Sequence, residues 1–196
     1  VKPGVRALGI AESFRADRST LAAAVVRASR VVDGFAFETC TVGGTDATDA
    51  VCALFDDLGR EDLRYVLLSG IAPAWFNVLD LHRLADHIDP PVLAVTYEES
   101  DGLEPALREQ FEGDALERRL ETYRAQPDRE RVTVGEDQES DGNGDGETVF
   151  VRAVGLDERD DAAAVVRAFT PEGGRPEPLR VARLAARGAD DFRHRC

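Results

Sequence analysis

Lysine, cysteine and long apolar runs are what this sequence has least of. Lys2 is the only lysine among 24 basic residues, and these face 38 acidic ones, for a formal net charge of -14. A surface so rich in carboxylates repels itself in dilute buffer and becomes tolerable where the Debye length falls to ~3 Å, near 1 M salt. The excess is spread along most of the chain instead of forming one tail, which argues for a salt-adapted protein over an acidic arm for basic partners. Cys40, Cys52 and Cys196 are odd in number and lack CxxC spacing. That argues against a disulfide framework or a zinc site, and no disulfide-linked partner is expected. No apolar run approaches the ~18 residues of a membrane span. No charged-then-apolar leader opens the sequence, so a cytoplasmic protein without a membrane partner is expected. The 196 residues suit one domain, 1-196, large enough for a substantial core.

What is present is a change of hydrophobic period along the chain. Val5 to Ile10, Thr20 to Arg27 and Val31 to Thr41 read as strands of an antiparallel meander. From Thr45 the period becomes helical, with Val51, Leu54, Phe55 and Leu58 on one face and Gly59 placed to end it. Strands are predicted at Tyr65 to Leu68 and Val92 to Val95. Between them runs a helix from Asn77 to Ile88, stopped by Pro90 and Pro91. Leu103 to Ala125 reads as one long charged helix, Arg131 to Val134 and Thr148 to Val154 as a strand pair, and Asp160 to Phe169 and Leu179 to Arg187 as closing helices. An acidic, flexible insert is expected at about 135–147. Three meandering strands followed by helix–strand alternation describe an α/β fold with a mixed sheet of ribonuclease H-like order, flanked by helices.

Five segments then fall into a recognisable order: Leu8-Gly9-Ile10, Val32-Asp33-Gly34, the run from Thr41 through Gly43, Gly44 and Asp46 to Thr48, Leu68-Ser69-Gly70-Ile71, and Phe76 to Asp80. As a set they resemble the archaeal endonuclease V-like family of uncharacterised proteins, over about Lys2 to Val95. The resemblance implies a metal-dependent hydrolase of nucleic-acid phosphodiesters. Its carboxylates, on the first strand, first helix and fourth strand, would hold Mg²⁺ to neutralise the phosphate and supply a nucleophilic water. Carried over residue by residue, the first-strand carboxylate falls at Ala11 and the fourth-strand one at Ser69, while Asp46 retains the first-helix acid. The aromatic wedge that the resemblance implies before the first helix is replaced by Cys40-Thr41-Val42-Gly43-Gly44, and Trp75 stands where a small residue is implied.

The candidates each have a second reading. Asp46, the proposed metal ligand, also sits where an aspartate caps a helix. Glu12, Asp33 and Asp80 are substitute acids for the catalytic set. Asp33-Gly34 is equally a turn pair, and Asp80 complements a helix dipole. Asp33 and Glu38 are five apart on a strand, so at most one points inward. Asp141, Asn143, Asp145 and Gly146 match the opening of a calcium loop, but its twelfth position is Arg152, as in a solvated acidic loop. His82 and His87 lack the i, i+4 spacing of a metal pair, and Ser69 lacks a Gly-x-Ser-x-Gly elbow. Arg180, Arg183 and Arg187 share a helical face, either for a phosphate backbone or for ion pairs with acidic neighbours. Three functions follow: a metal-dependent nuclease, an inactive module for nucleic acid or a protein on the same fold, and a small-ligand protein using a pocket near Gly70 and Phe76.

Overall fold

The computed structural model describes residues 1–135, 146–157, 161–171 and 174–195. Most of the acidic stretch at 135–147, including Asp141, Asn143 and Asp145 of the calcium-loop pattern, lies outside the described residues, as does Cys196. Seven strands form one sheet in the order β3-β2-β1-β4-β5-β7-β6. β1 (Arg6–Arg15), β2 (Arg18–Arg27) and β3 (Val32–Thr41) make the expected antiparallel meander. β4 (Leu63–Ser69) and β5 (Val92–Thr96) lie parallel to β1, and β7 (Glu147–Val154) and β6 (Glu130–Val134) close the sheet antiparallel. This is the ribonuclease H-like mixed sheet that the sequence predicts.

Strand alternation divides two cores. Leu8, Ile10 and Leu68 pack under α1 (Ala47–Leu58) and α3 (Leu81–His87). Ala7, Leu67, Leu93 and Val95 pack under α6 (Ala162–Ala168) and α7 (Glu177–Arg193), with Phe169 and Leu179. The start of α7 lies so close to β1 that a Cβ on Gly9 would stand 2.2 Å from the carbonyl of Pro178. Glycine at position 9 is what permits this seating of α7.

Two helices differ from expectation. The segment from Leu103 to Ala125 is two helices, α4 (Glu104–Gln110) and α5 (Gly113–Arg124), because Phe111 and Glu112 between them are extended. Phe111 instead packs with Trp75 and Phe76 at ring-centroid distances of 5.3 and 6.1 Å, so aromatic burial wins over helix continuity. The helix expected from Asn77 begins only at Leu81. Before it comes a single turn, α2 (Pro73–Phe76), in which Ala74, Trp75 and Phe76 all have positive φ.

Candidate functional site

The β1–β4 pairing ends at Ile10 and Leu68, beside the end of β5, and of the segments carrying the resemblance all but Val32-Asp33-Gly34 lie near this end of the sheet. The β1–β4 register pairs Gly9 with Leu67 and Ile10 with Leu68, which brings Ala11 beside Ser69 one step further on. Alternation turns these two toward α7: Ala11 packs with Val181 and Ala182. Glu12 therefore turns to the other face, toward α1. The two faces of the strand ends have different chemistry.

On the α1 face the carboxylates of Glu12 and Asp46 are both bound by the protein. Glu12 accepts from Ser19 Oγ at 2.6 Å and from the Ala74 amide at 2.8 Å. Asp46 accepts from the Thr41 amide at 3.0 Å, from Thr41 Oγ1 at 2.8 Å and from Asn77 Nδ2 at 2.7 Å. Burial pushes the Asp46 carboxyl up, but the bonds from Thr41 and Asn77 outweigh it and hold the group below its usual range. Asp46 occupies the position before α1 without capping it, since its side chain makes no capping bond. The first free amide, Ala47, donates instead to Asn77 Oδ1 at 3.0 Å. Asn77 is fully buried and also donates to the Thr41 carbonyl, so one amide side chain ties β3, α1 and the β4–α3 connection together. Sequence reasoning missed Asn77, although its place in the Phe76 to Asp80 segment marks it. Asp80 caps α3, accepting from the Arg83 amide at 3.0 Å.

The left-handed turn Ala74–Phe76 costs about 1–3 kcal/mol per residue and persists because its surroundings hold it. Glu12 binds the Ala74 amide, and the Gly43 amide donates to the Ala74 carbonyl at 2.7 Å. Arg119, buried on α5, donates to the carbonyls of Phe76, Gly43, Gly44 and Ala115. Its guanidinium carbon lies 3.9 Å from the Phe111 ring centroid, and burial lowers its pKa. The turn presents Trp75, 44% exposed, over Gly43, whose missing Cβ would come 2.9 Å from the indole.

On the α7 face the picture reverses. A cleft of about 440 Å³ opens at the ends of β4 and β5, lined among others by Ser69, Thr96, Tyr97, Arg129, Arg175 and Arg183. The Arg175 guanidinium stacks 4.2 Å from the Tyr97 ring centroid. Arg175 Nη1 and Tyr97 Oη are both buried without a hydrogen-bond partner in the described structure. Each such group costs about 1–3 kcal/mol. Burial pushes the Tyr97 phenol up to about 12, against the pull of Arg175 and Arg183. Arg183 is lowered by the burial it has and by repulsion from Arg175 and Arg187.

The sequence candidates thus separate. Glu12 and Asp46 both lie close enough to buried Cys40 to raise its thiol, after the dominant effect of burial, to about 12. Asp33 lies at the opposite end of the sheet, bonded to Arg6 and Arg27 at 2.6 and 2.7 Å. Five residues of β1, about 16 Å, separate Arg6 from Ala11. Arg183 lines the cleft, Arg180 pairs with Glu177 at 2.6 Å, and Arg187 is exposed on the same helix. His82 meets the Ala125 carbonyl and His87 meets Asp56.

A family model described as Endonuclease dU matches residues 3–189. The chain belongs to the Endonuclease dU family. This Endonuclease dU family member is 34% identical over 195 residues to a UPF0215 protein of Thermococcus kodakarensis, an alignment covering 95% of this chain and 92% of that one. It is 33% identical over 189 residues to a UPF0215 protein of Pyrobaculum aerophilum, covering 94% of each. Among solved structures, a protein of unknown function from Archaeoglobus fulgidus superposes with a TM-score of 0.78 at 24% identity, covering 94% of this chain and 98% of that one. Endonuclease V of Bacillus subtilis superposes with a TM-score of 0.60 at 12% identity, covering 99% and 83%. Endonuclease V of Ciona intestinalis, in complex with a 24mer DNA containing an inosine, gives 0.59 at 12%, covering 96% and 86%. These likenesses show the fold, and the Endonuclease dU family member has the mixed sheet of endonuclease V.

Endonuclease V generally works with Mg²⁺. A divalent cation needs converging hard oxygens, preferably anionic. Among the described residues no three His, Cys, Asp or Glu side chains converge to hold a metal ion. On the α7 face the strand ends carry a methyl group at Ala11 and a neutral hydroxyl at Ser69, with Arg183 lining the neighbouring cleft. The described residues of this face do not fit a two-metal centre. No helix among them is long and apolar enough to cross a membrane.

Proposed function

We propose that this member of the Endonuclease dU family acts on nucleic acid as a binding protein, engaging phosphate through arginine side chains at the ends of β4 and β5. One observation supports the reading above the others. Ala11 and Ser69, where the resemblance implies metal-binding carboxylates, lie on the face whose neighbouring cleft is lined by Arg129, Arg175 and Arg183, so a ligand there meets positive charge. Guanidinium groups recognise phosphate directly, through paired donors, without a metal bridge. The endonuclease V of Ciona intestinalis, bound to inosine-containing DNA, supports nucleic acid as the polymer.

The acidic composition supports a salt-adapted protein, and in molar salt long-range steering is screened and direct hydrogen bonds must carry binding. The test is fluorescence anisotropy with single- and double-stranded DNA and RNA in about 2 M KCl, at which the Debye length is under ~3 Å. Binding in EDTA that weakens at least tenfold in Arg183→Gln is the expected result. Absence of binding to every polymer by folded protein sinks the reading.

A Mg²⁺-dependent nuclease is the second reading, favoured by the meeting of Glu12 and Asp46 around Cys40 on the α1 face. Under it, plain or inosine-containing DNA or RNA is cut with Mg²⁺ or Mn²⁺, and Asp46→Asn abolishes cutting. Cutting that survives Asp46→Asn removes that reading's only assigned metal ligand.

A further inference from the structure

We infer that the cleft at the ends of β4 and β5 is a phosphomonoester pocket, in which Arg175, Tyr97, Arg183 and Ser69 hold the dianionic end group of a nucleic-acid strand or a free mononucleotide. The inference rests on the proposed function and narrows it from phosphate in general to a terminal phosphate. Buried donors without acceptors are rare in folded proteins, and two of them adjoin this cleft: Tyr97 Oη and Arg175 Nη1. The Arg175 guanidinium rests on the Tyr97 ring at 4.2 Å, so the planar group is already oriented by stacking. Ser69 contributes a hydroxyl from the strand end, and Arg183 a further fork of donors from α7.

Two features select a monoester over an internal diester. Tyr97 Oη and Arg175 Nη1 are buried, so a phosphate reaches them only once the two side chains turn into the cleft, and the slim end of a strand follows them there more readily than an internal phosphate flanked by nucleotides on both sides. A monoester also offers three non-bridging oxygens and close to two negative charges, enough for the guanidinium forks and both hydroxyls together. The cleft, at about 440 Å³, has room for a nucleotide behind its phosphate. Among the described residues Glu98 is the one carboxylate lining it, set against three arginines. Arg129 is partly committed, donating to Ser100 and lying 4.3 Å over the Phe150 ring, and serves as a wall.

The experiment uses the full chain in about 2 M KCl with EDTA and no phosphate or sulfate, where screening removes long-range attraction. Affinities are measured for one oligonucleotide carrying a 5′-phosphate, a 3′-phosphate or hydroxyl ends, and for a nucleoside 5′-monophosphate and inorganic phosphate. A preference of about tenfold or more for one phosphorylated end is expected, competed by inorganic phosphate. Tyr97→Phe removes only an oxygen that has no partner in the described structure, so it should fold as well as wild type while losing about tenfold in that preference. Arg175→Gln should lose more, with inorganic phosphate no longer raising its Tm. Equal binding of phosphorylated and hydroxyl ends overturns the pocket and leaves the nucleic-acid reading standing. Tight binding of the mononucleotide with none of any oligonucleotide does the reverse, identifying a small-molecule source for the same chemistry. An unchanged preference in Tyr97→Phe overturns the assigned donors.

Discussion

The two faces of the sheet at its strand ends carry different polar groups, carboxylates and an amide on one and arginines with a tyrosine on the other, and they use them in opposite ways. On the α1 face Glu12, Asp46 and Asn77 have their hydrogen bonds filled by Ser19, Thr41, Ala47 and Ala74. On the α7 face Tyr97 and Arg175 keep donors with no acceptor in the described structure. Saturated polar groups fix a conformation, whereas unsatisfied ones store free energy that a ligand recovers. The difference teaches that the carboxylates most visible in the sequence are engaged in building the loops, and that the unspent chemistry lies across the sheet.

The largest break in that comparison is expected at Arg119. Arg119→Ala withdraws donors from the carbonyls of Gly43, Gly44 and Phe76 and removes the cation over Phe111. A loss of about 4 kcal/mol is expected from several carbonyls left unpaired together, read by urea denaturation. Phosphate affinity of the protein that remains folded should be unchanged. A neutral result would mean that the left-handed turn Ala74–Phe76 does not depend on the guanidinium. Next comes Asn77→Ala, which leaves the Ala47 amide without its partner and withdraws a donor from both the Thr41 carbonyl and the Asp46 carboxylate. About 3 kcal/mol is expected, with no effect on oligonucleotide end preference. If Asn77→Ala instead abolished binding while leaving stability intact, the α1 face would be the functional one.

How much of this the sequence discloses depends on the range of the interaction. The seven strands and their order follow from local period and from connection rules, so the mixed sheet is legible. The break of the Leu103 to Ala125 helix is not, because Phe111 leaves the helix for Trp75, 36 positions away in sequence. Asp46 shows the same limit in the site: its position before α1 is readable, but its preference for Thr41 and Asn77 over the helix amides is tertiary. Arg183 was legible as part of a basic stripe. Arg175 and Tyr97 were not, since nothing local marks an arginine after a glycine run or a tyrosine at the end of a strand as a stacked pair.

A smaller effect sharpens the comparison at the Trp75 loop. Gly43 has φ of 69° and no room for a Cβ beside the indole. Gly43→Ala should therefore cost about 2 kcal/mol, from backbone strain and the clash together. In a Trp75→Ala background the clash disappears and about 1 kcal/mol of backbone cost should remain. Additive effects in the two backgrounds would show that the indole does not rest on Gly43.

The smallest effect is expected far from both faces, at Asp33, where pH is the probe. The side-chain hydrogen bonds from Arg27 and Arg6 lower its carboxyl from the usual 3.8 to about 2. A carboxyl depressed in the folded state contributes stability that is fully present above its unfolded pKa and lost as pH falls through the folded one. The contribution of Asp33 is therefore complete above about pH 4, declines between 3.8 and about 2, and is gone below that. Asp33→Asn should be less stable than wild type at neutral pH, and the two stability curves should converge as the acid limb descends through that window. Molar KCl should bring the curves closer above that window, because partly exposed ion pairs are screened. Binding of a phosphorylated strand end should be the same in both proteins at pH 7. A loss of binding in Asp33→Asn would mean that the far end of the sheet is coupled to the cleft, and would dissolve the separation between carboxylates that build the fold and arginines that meet the ligand.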